Sequence, residues 1–307
     1  MVYILVKFNH EENLMKKNIT RTAVSVFSFI LFMLLTGCGR LATIPMSPET
    51  TPEQWLKTHP HLNLELFSNA FVLAKPSSSA IVYSLGVLTI IIGILFLLKR
   101  ENEKSRYWWG LGLLSWGIGT LFAGTSYQAF AWEIKCAGQA FCSWTSWYEV
   151  IYMIFEVASI NALLVAVAHS TVRGNALKLA KVYAAANMLI YLAVSLTGAF
   201  IPSWFMVSFE LMMLFCFPGL VAAFVLNLRG YSREKDPMNR NLVITWLFLL
   251  LVMIAYYAYL LSGIAEQLWA DGTWFSANDV LHIGLILWML YIAFAVKNRL
   301  RDRKTAP

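Results

Sequence analysis

The sequence predicts an all-α polytopic membrane protein, a bundle of seven transmembrane helices with its N-terminal segment outside and its C-terminus in the cytoplasm. Three observations predict this class. The first is composition, because hydrophobic residues make up 59% of the 307 residues and charged residues only 13%, which soluble domains of this length do not normally show. The second is a series of apolar stretches. The third is the uneven distribution of Lys and Arg among the loops.

Seven apolar stretches define the predicted transmembrane spans. Each is close to the roughly 20 residues that cross a bilayer as a helix. Short loops join them, so consecutive spans are expected to pack antiparallel. We number them span 1 to span 7, at residues 80–98, 107–131, 147–168, 179–200, 204–227, 241–264 and 278–296. They belong to a predicted membrane domain of residues 77–307 that ends in a basic cytoplasmic tail.

Lys and Arg determine the predicted orientation. The loops after spans 1, 3 and 5, together with the C-terminal tail, hold sixteen basic residues, whereas the alternate loops hold only Lys135. By the positive-inside rule, the basic loops lie in the cytoplasm. The same distribution accounts for the formal net charge of +7 without a nucleic-acid partner. We therefore predict a multi-pass protein of the bacterial inner membrane whose surroundings are membrane lipid.

Residues 1–38 are predicted to be a signal segment. Met15 is a candidate for the true start, because basic residues and an apolar run follow it in the layout of a secretory signal. Residues 35–38, Leu-Thr-Gly-Cys, resemble the bacterial lipobox. This match predicts a lipoprotein acylated at Cys38, and the alternative is an uncleaved membrane anchor.

Residues 39–76 are predicted to form a periplasmic arm, because they carry five of the nine prolines. Trp55 and residues 66–67 would let this arm lie on the membrane surface. His59 and His61 have a spacing that a metal could use, but the favoured interpretation is two solvated loop histidines.

Cys136 and Cys142 share the loop between spans 2 and 3, on the side of the membrane where disulfides form and persist. We predict a disulfide between them. The alternative is a reduced pair that binds a metal, but this loop contains no histidine. A bridge would hold the outer ends of spans 2 and 3 in register.

Polar side chains inside the predicted spans are candidates for function. A charged group there costs about 2.5–3.5 kcal/mol even on the permissive insertion scale. These side chains concentrate at the outer ends of spans 2, 3, 5 and 7, which predicts a water-filled pocket open to the periplasmic side. They are Ser126 on span 2, Glu149 and the deeper Glu156 on span 3, Glu210 on span 5, and Asn278, Asp279 and His282 on span 7.

Structural roles compete with functional ones at several of these positions. Asp279 and Asn278 are also placed to cap span 7. His282 could be a buried histidine bonded to a carboxylate of span 3, and Glu149 could be interfacial and solvated. Glu156 lies deep enough to need a partner or a proton. Our working hypothesis pairs His282 with Glu149.

The layout resembles the superfamily of seven-helix membrane hydrolases that includes the alkaline ceramidases and the adiponectin-type receptors. These proteins carry Ser-x-x-x-His late in helix 2, an acidic residue at the start of helix 3 and His-x-x-x-His early in helix 7. Their histidines hold zinc, which activates water for amide hydrolysis. Here Ser126-Tyr-Gln-Ala-Phe130, Glu149 and Asn278-Asp-Val-Leu-His282 occupy the three places. The chain also resembles small bacterial multispanning membrane proteins.

Two of the three family histidines are replaced, by Phe130 and Asn278, so the usual three-histidine zinc site is absent. The resemblance then implies either a noncatalytic relative or a divergent hydrolase with a carboxylate-rich site. In the hydrolase, Glu149 or Asp279 would act with His282 as base or as zinc ligands, and Ser126 would stabilise the developing oxyanion.

Two further classes of function compete with hydrolysis. A sensor or assembly factor that binds a lipid or a lipoprotein in the outer pocket needs no catalytic residues. A small-solute transporter could use Glu156, Glu210 and Asn161, although the sequence shows no inverted repeat. A retinal protein is excluded, because span 7 contains no lysine for a Schiff base.

Overall fold

A computed structural model describes residues 40–66 and 69–303, and most of this part of the chain is helical. The predicted signal segment, the candidate start Met15 and the lipobox cysteine Cys38 lie outside the described residues. In chain order the helices are α1 Pro52–Thr58, α2 Pro76–Leu98, α3 Lys104–Ala123, α4 Ala131–Lys135, α5 Trp147–Thr171, α6 Gly174–Phe200, α7 Phe209–Glu234, α8 Pro237–Leu260, α9 Ile264–Ala270 and α10 Ala277–Tyr291.

Six of the described helices are long and apolar enough to cross a membrane, which confirms an all-α multi-pass membrane protein. They are α2, α5, α6, α7, α8 and α10, the last continued by a π-helical turn at Ile292–Val296. They coincide with predicted spans 1, 3, 4, 5, 6 and 7. Side-chain caps fix where two of them begin, because Ser208 accepts a hydrogen bond from the Leu211 amide and Asp236 from the Asn239 amide.

Helix α3 occupies the place of predicted span 2, but it is shorter than predicted. It ends at Ala123 and gives way to a π-helical turn, Gly124–Ala129, and then to the short α4. It packs between α2 and α5, with Trp109 and Leu113 completely buried. Helix α3 is rich in glycine at these contacts, which lowers its hydropathy below that of the six apolar helices.

Close packing between α2 and α3 depends on glycine. A Cβ atom on Gly93 of α2 would lie 2.9 Å from the Leu114 amide nitrogen and 3.0 Å from the Gly110 carbonyl oxygen. A Cβ atom on Gly117 of α3 would likewise lie 2.9 Å from the Gly86 carbonyl oxygen. Small residues let membrane helices approach each other in this way. We call Gly86, Gly93, Gly110 and Gly117 the glycine seam.

Six helices form a ring in the order α2, α3, α5, α7, α8 and α10, and α6 packs on the outside against α5. We name the two ends of this ring after the segments that lie there, the arm end for residues 40–75 and the tail end for residues 297–303. Large buried side chains fill the tail-end half, among them Phe96, Trp109, Leu242 and Trp288. The arm-end half is less completely filled.

The arm contains regular structure that the all-helical prediction missed. Strands β1 His61–Leu66 and β2 Asn69–Ala74 form an antiparallel hairpin in which His61 pairs with Ala74. Residues 61–66 alternate polar and apolar side chains, the period-two pattern of a strand. This pattern could have identified β1.

The arm packs on the loop that follows α4. The predicted disulfide between Cys136 and Cys142 is formed, and it lies in a buried cluster with Trp55 of α1. The prediction that Trp55 faces the membrane surface is wrong, because its side chain is only 3% exposed and covers the disulfide. Backbone hydrogen bonds from Met46 to Cys142 and from Trp144 to Ile44 join the two segments.

Candidate functional site

A cavity of about 450 Å³ lies at the arm end of the helix ring. All six ring helices and the segments flanking α3 and α7 provide the walls, and the arm and α4 provide the roof. Most of the lining is apolar or aromatic. The polar lining residues are His59, Lys75, Gln128, Lys135, Glu149, Glu210, Asn278 and His282. Four of the residues singled out from sequence therefore meet at one cavity, namely Glu149, Glu210, Asn278 and His282.

Glu149 lies in the first turn of α5 and forms a buried ion pair with Lys135, the last residue of α4. The Lys135 Nζ to Glu149 Oε1 distance is 2.8 Å, and the two side chains are only 8% and 2% exposed. Ser126, in the π-helical turn, donates its hydroxyl to the same oxygen at 2.8 Å. The alternative of a solvated Glu149 is therefore wrong, because three consecutive elements enclose this carboxylate.

Ser126 does not line the cavity. Its side chain is fully buried between Glu149 and Ser146, whose hydroxyl lies 2.7 Å away. An oxyanion donor must reach the reacting carbonyl, whereas this hydroxyl is directed at a carboxylate. The role predicted for Ser126 would require a rearrangement of this contact.

His282 lines the cavity from the second turn of α10, but it does not pair with Glu149. The Nδ1 atom of His282 is buried and has no hydrogen-bond partner among the described residues. Glu149 is instead neutralised by Lys135. The hypothesis of a Glu149–His282 pair is wrong in this structure, because a charged lysine from the neighbouring helix is available to the carboxylate.

Asp279 acts as a helix cap, as the structural alternative proposed. One of its oxygens accepts hydrogen bonds from the Ser276 amide at 2.6 Å and from the Ser276 hydroxyl at 2.8 Å. The side chain is fully buried and does not line the cavity, whereas its neighbour Asn278 does.

Within residues 40–66 and 69–303, no group of three or more His, Cys, Asp or Glu side chains is arranged to hold a metal ion. The predicted ligands Glu149, Asp279 and His282 do not form such a group, since two of them have other partners. Zinc stays a prediction for metal analysis to test.

Lys75 is a cavity residue that the sequence did not suggest. It is the N-cap of α2, in a left-handed backbone conformation with φ of 44°. Its Nζ donates to the Tyr127 carbonyl oxygen at 3.3 Å and lies 5.7 Å from the centre of the Trp55 ring and 5.9 Å from that of Trp274. Burial, and then the charge of Lys135, lowers the pKa of Lys75 to about 8.

His59 also belongs to the cavity, so the prediction of a solvated histidine is wrong at this position. Its ring stacks on Trp55 with the ring centres 4.2 Å apart. Its Nδ1 lies 3.0 Å from the Trp55 carbonyl oxygen. Burial, followed by the charge of Lys75, lowers the pKa of His59 to about 4.

Glu156 lies two turns deeper than Glu149 on α5 and does not line the cavity. Its Oε2 atom is buried, and no residue in the described ranges 40–66 and 69–303 provides a hydrogen bond to it. Deeper still, Asn161 accepts a hydrogen bond from Asn187 of α6 at 3.2 Å. Glu210, in contrast, is an exposed residue at the edge of the cavity. The three residues of the predicted transport path thus occupy different environments.

The exposed lining residues show where the cavity opens. Phe209 and Tyr257 are 44% and 50% exposed, and Glu210 and Asn278 are exposed as well. All four belong to α7, α8 or α10, whereas the roof residue Trp55 is buried. The sequence predicted a water-filled pocket open to the periplasmic side, at the outer end of the bundle. The arm covers that end, and the opening lies on the side formed by these three helices.

Comparison with models of known protein families found no match, and comparison with curated proteins found none. The fold and the cavity define the class as a multi-pass membrane protein with a roofed cavity at one end, which is lined mainly by apolar side chains and carries a group of charged ones. Its function is therefore inferred from the cavity itself.

Proposed function

We propose that this protein resides in the bacterial inner membrane and binds an amphiphilic, lipid-like molecule in its arm-end cavity. The observation that carries the proposal is the shape of the cavity. Charged side chains lie beneath the arm, apolar side chains form most of the walls, and the opening is on the side of the bundle. A lipid would match this arrangement, with its polar head group beneath the arm and its apolar chains along the walls toward the opening.

The side opening favours a ligand that arrives from the bilayer. Around a membrane protein, the sides of the helix bundle contact acyl chains and the ends contact water. Phe209 and Tyr257, at the opening, would contact acyl chains. Glu210 and Asn278 lie at the same opening, in the first turns of α7 and α10, where they would meet the polar part of a lipid. Lipid binding is therefore better supported than small-solute transport.

Hydrolysis is the second candidate. His282 favours it, because this histidine lines the cavity with a free Nδ1 atom that could accept a proton or bind a metal. Ser126 and Glu149 count against it, because they bond to each other and, for Glu149, to Lys135. Binding without catalysis would suit a sensor or assembly factor that holds a lipid or a lipoprotein.

We expect the purified full-length protein to carry about one equivalent of lipid. Leu281→Trp should reduce the bound lipid by roughly tenfold, because a larger side chain would occupy the cavity wall. Leu287→Trp is the matched control on the same helix, since Leu287 is 53% exposed and does not line the cavity. Quantitative lipid mass spectrometry after mild-detergent purification provides the measurement. Equal lipid in both variants would contradict the proposed site.

Metal analysis of the same preparations separates the two candidates. One equivalent of zinc that is lost on His282→Ala would support the hydrolase. Bound lipid without stoichiometric metal would support the binding protein.

We propose further that α3 is a seventh span, with the arm end in the periplasm and the tail end in the cytoplasm. Helix α2 runs from the arm end to the tail end and α5 begins again at the arm end, so the chain must return between them. The 20 residues of α3 rise about 30 Å, the thickness of the hydrocarbon core. The basic loops at the tail end support this orientation.

Reporter fusions test this topology. We expect fusions after residues 102, 175, 236 and 305 to report a cytoplasmic location, and those after 139, 202 and 272 a periplasmic one. If the reporter fused after residue 139 behaves as cytoplasmic, α3 does not cross the membrane.

A further inference from the structure

We propose that the ligand of the arm-end cavity carries an anionic head group, a phosphate or a carboxylate, and that Lys75 binds it. This inference rests on the proposed function, because it names the head-group chemistry of the same ligand.

The ammonium group of Lys75 has hydrogen-bonding capacity to spare. Of its three N–H groups, one reaches the Tyr127 carbonyl oxygen, at the long distance of 3.3 Å. In the part of the chain that the structure describes, no carboxylate lies within ion-pair distance of Lys75. Lys75 is half-buried, and withdrawing a cation from water without a counter-ion is costly. An anionic ligand would remove that cost.

The neighbouring charged groups are already engaged with other partners. Lys135 pairs with Glu149 at 2.8 Å, and one oxygen of Asp279 accepts hydrogen bonds from Ser276, the N-cap residue of α10. Of the two lysines that line the cavity in the described part of the chain, Lys75 is therefore the one available to an incoming group.

The walls around Lys75 favour a strong charge-assisted contact. The indole rings of Trp55 and Trp274 lie within 6 Å of the ammonium group, and the stacked ring of His59 extends the same aromatic surface. Trp274 is held in place by a 2.9 Å hydrogen bond to Ser78. Aromatic walls exclude water, and hydrogen bonds between ionised groups are stronger where water is excluded.

The rest of the cavity accommodates the apolar part of such a ligand. Val82 and Leu281 line it below the charged groups, and Phe209 and Met253 line it toward the opening. An amphiphile that enters from the side can therefore place its head under the arm and its chain between α7 and α8.

The test uses full-length, delipidated protein in detergent, with binding measured by native mass spectrometry. Dioleoyl phosphatidic acid and diolein form the matched pair, since they share acyl chains and differ by the phosphate. Oleate tests a carboxylate, and inorganic phosphate tests a free anion. We expect phosphatidic acid or oleate to bind at least about tenfold more tightly than diolein, the range of one charge-assisted hydrogen bond. Competition by millimolar phosphate would identify a free anion as the ligand.

Substitutions at residue 75 test whether the preference for anionic lipids depends on Lys75. Lys75→Met should reduce the preference for the anionic lipid to less than about twofold, and Lys75→Arg should retain it, since both charge and donors remain. Lys57→Met is the matched control in the same arm, because Lys57 is exposed and does not line the cavity. A preference that survives Lys75→Met while Lys75→Arg folds normally would overturn the inference.

The outcomes separate this inference from the proposed function. Binding of phosphatidic acid and diolein with equal affinity would support a lipid cavity and reject the anion site. Failure of all the amphiphiles to bind would reject both.

A pH titration with oleate gives a second measure of the same contact. The groups that surround Lys75 are His59, Lys135, Glu149 and Asp279, and the pKa of Lys75 is about 8. An anion binds the protonated form, so affinity should fall as pH rises from about 8 toward the higher pKa of the ligand-bound lysine, and should level off above that pKa. Lys75→Arg should show no such fall, because arginine stays protonated. Equal pH dependence in the two proteins would count against Lys75.

Discussion

Lys135→Met is expected to destabilise the protein by about 3–5 kcal/mol, the cost of removing one partner from a buried ion pair. The variant leaves the Glu149 carboxyl group buried without its cationic partner, with only neutral hydroxyl groups such as that of Ser126 beside it. Solvent screening does not reduce this cost much, because neither side chain of the pair is more than 8% exposed. The free energy of unfolding can be measured by titrating the purified protein from mild detergent into dodecyl sulfate.

A double-mutant cycle separates the ion pair from other effects of the substitution. Glu149→Met should also destabilise the protein, because it leaves Lys135 buried without its counter-ion. The loss of unfolding free energy in the double variant should be clearly smaller than the sum of the losses in the two single variants. Removing both charges also removes the cost of burying them. Exposed Lys57→Met serves as the control and should change stability by less than about 0.5 kcal/mol. Additive effects at residues 135 and 149 would show that the two charges are not coupled.

The ion pair between Lys135 and Glu149 is a contact that the sequence alone could not predict. Lys135 did stand out in the sequence as the sole basic residue of the alternate loops, which marked it as unusual. Its partner could not be deduced, because the contact depends on the break at Gly124 and on α4 folding over the start of α5. Depth in the membrane can be predicted from position along a span, and it placed Glu149 and His282 at the same level. The direction in which each side chain points depends on packing, and for this reason the predicted pair between them was wrong.

The helices themselves were predictable because bilayer thickness sets their length and lipid sets their composition. Their caps were partly predictable, as at Asp279, because capping is a local interaction. The roof of the cavity was not predicted, since it depends on contacts between Trp55 and a disulfide more than 80 residues away along the chain. Proline content correctly suggested a segment outside the spans. It gave no information about where that segment would pack.

The second large effect is expected at the glycine seam between α2 and α3. Gly93→Ala should destabilise by about 1–3 kcal/mol, because the added methyl group would overpack a filled interface, and Gly93→Leu should prevent recovery of folded protein. The nearest atoms to the new Cβ would be the Leu114 amide nitrogen at 2.9 Å and the Gly110 carbonyl oxygen at 3.0 Å. Backbone atoms cannot move aside as a side chain can, so the two helices would have to separate.

Gly219→Ala on α7 is the matched control for Gly93→Ala, since both place a methyl group inside an apolar helix. The new Cβ at residue 219 would meet only the Ile160 side chain, at 3.1 Å, and a side-chain methyl group can shift. We expect the free energy of unfolding of this variant to lie within about 0.5 kcal/mol of that of the parent protein. The same dodecyl sulfate titration provides the measurement. Equal stabilities for the Gly93 and Gly219 variants would mean that α2 and α3 do not pack through glycine.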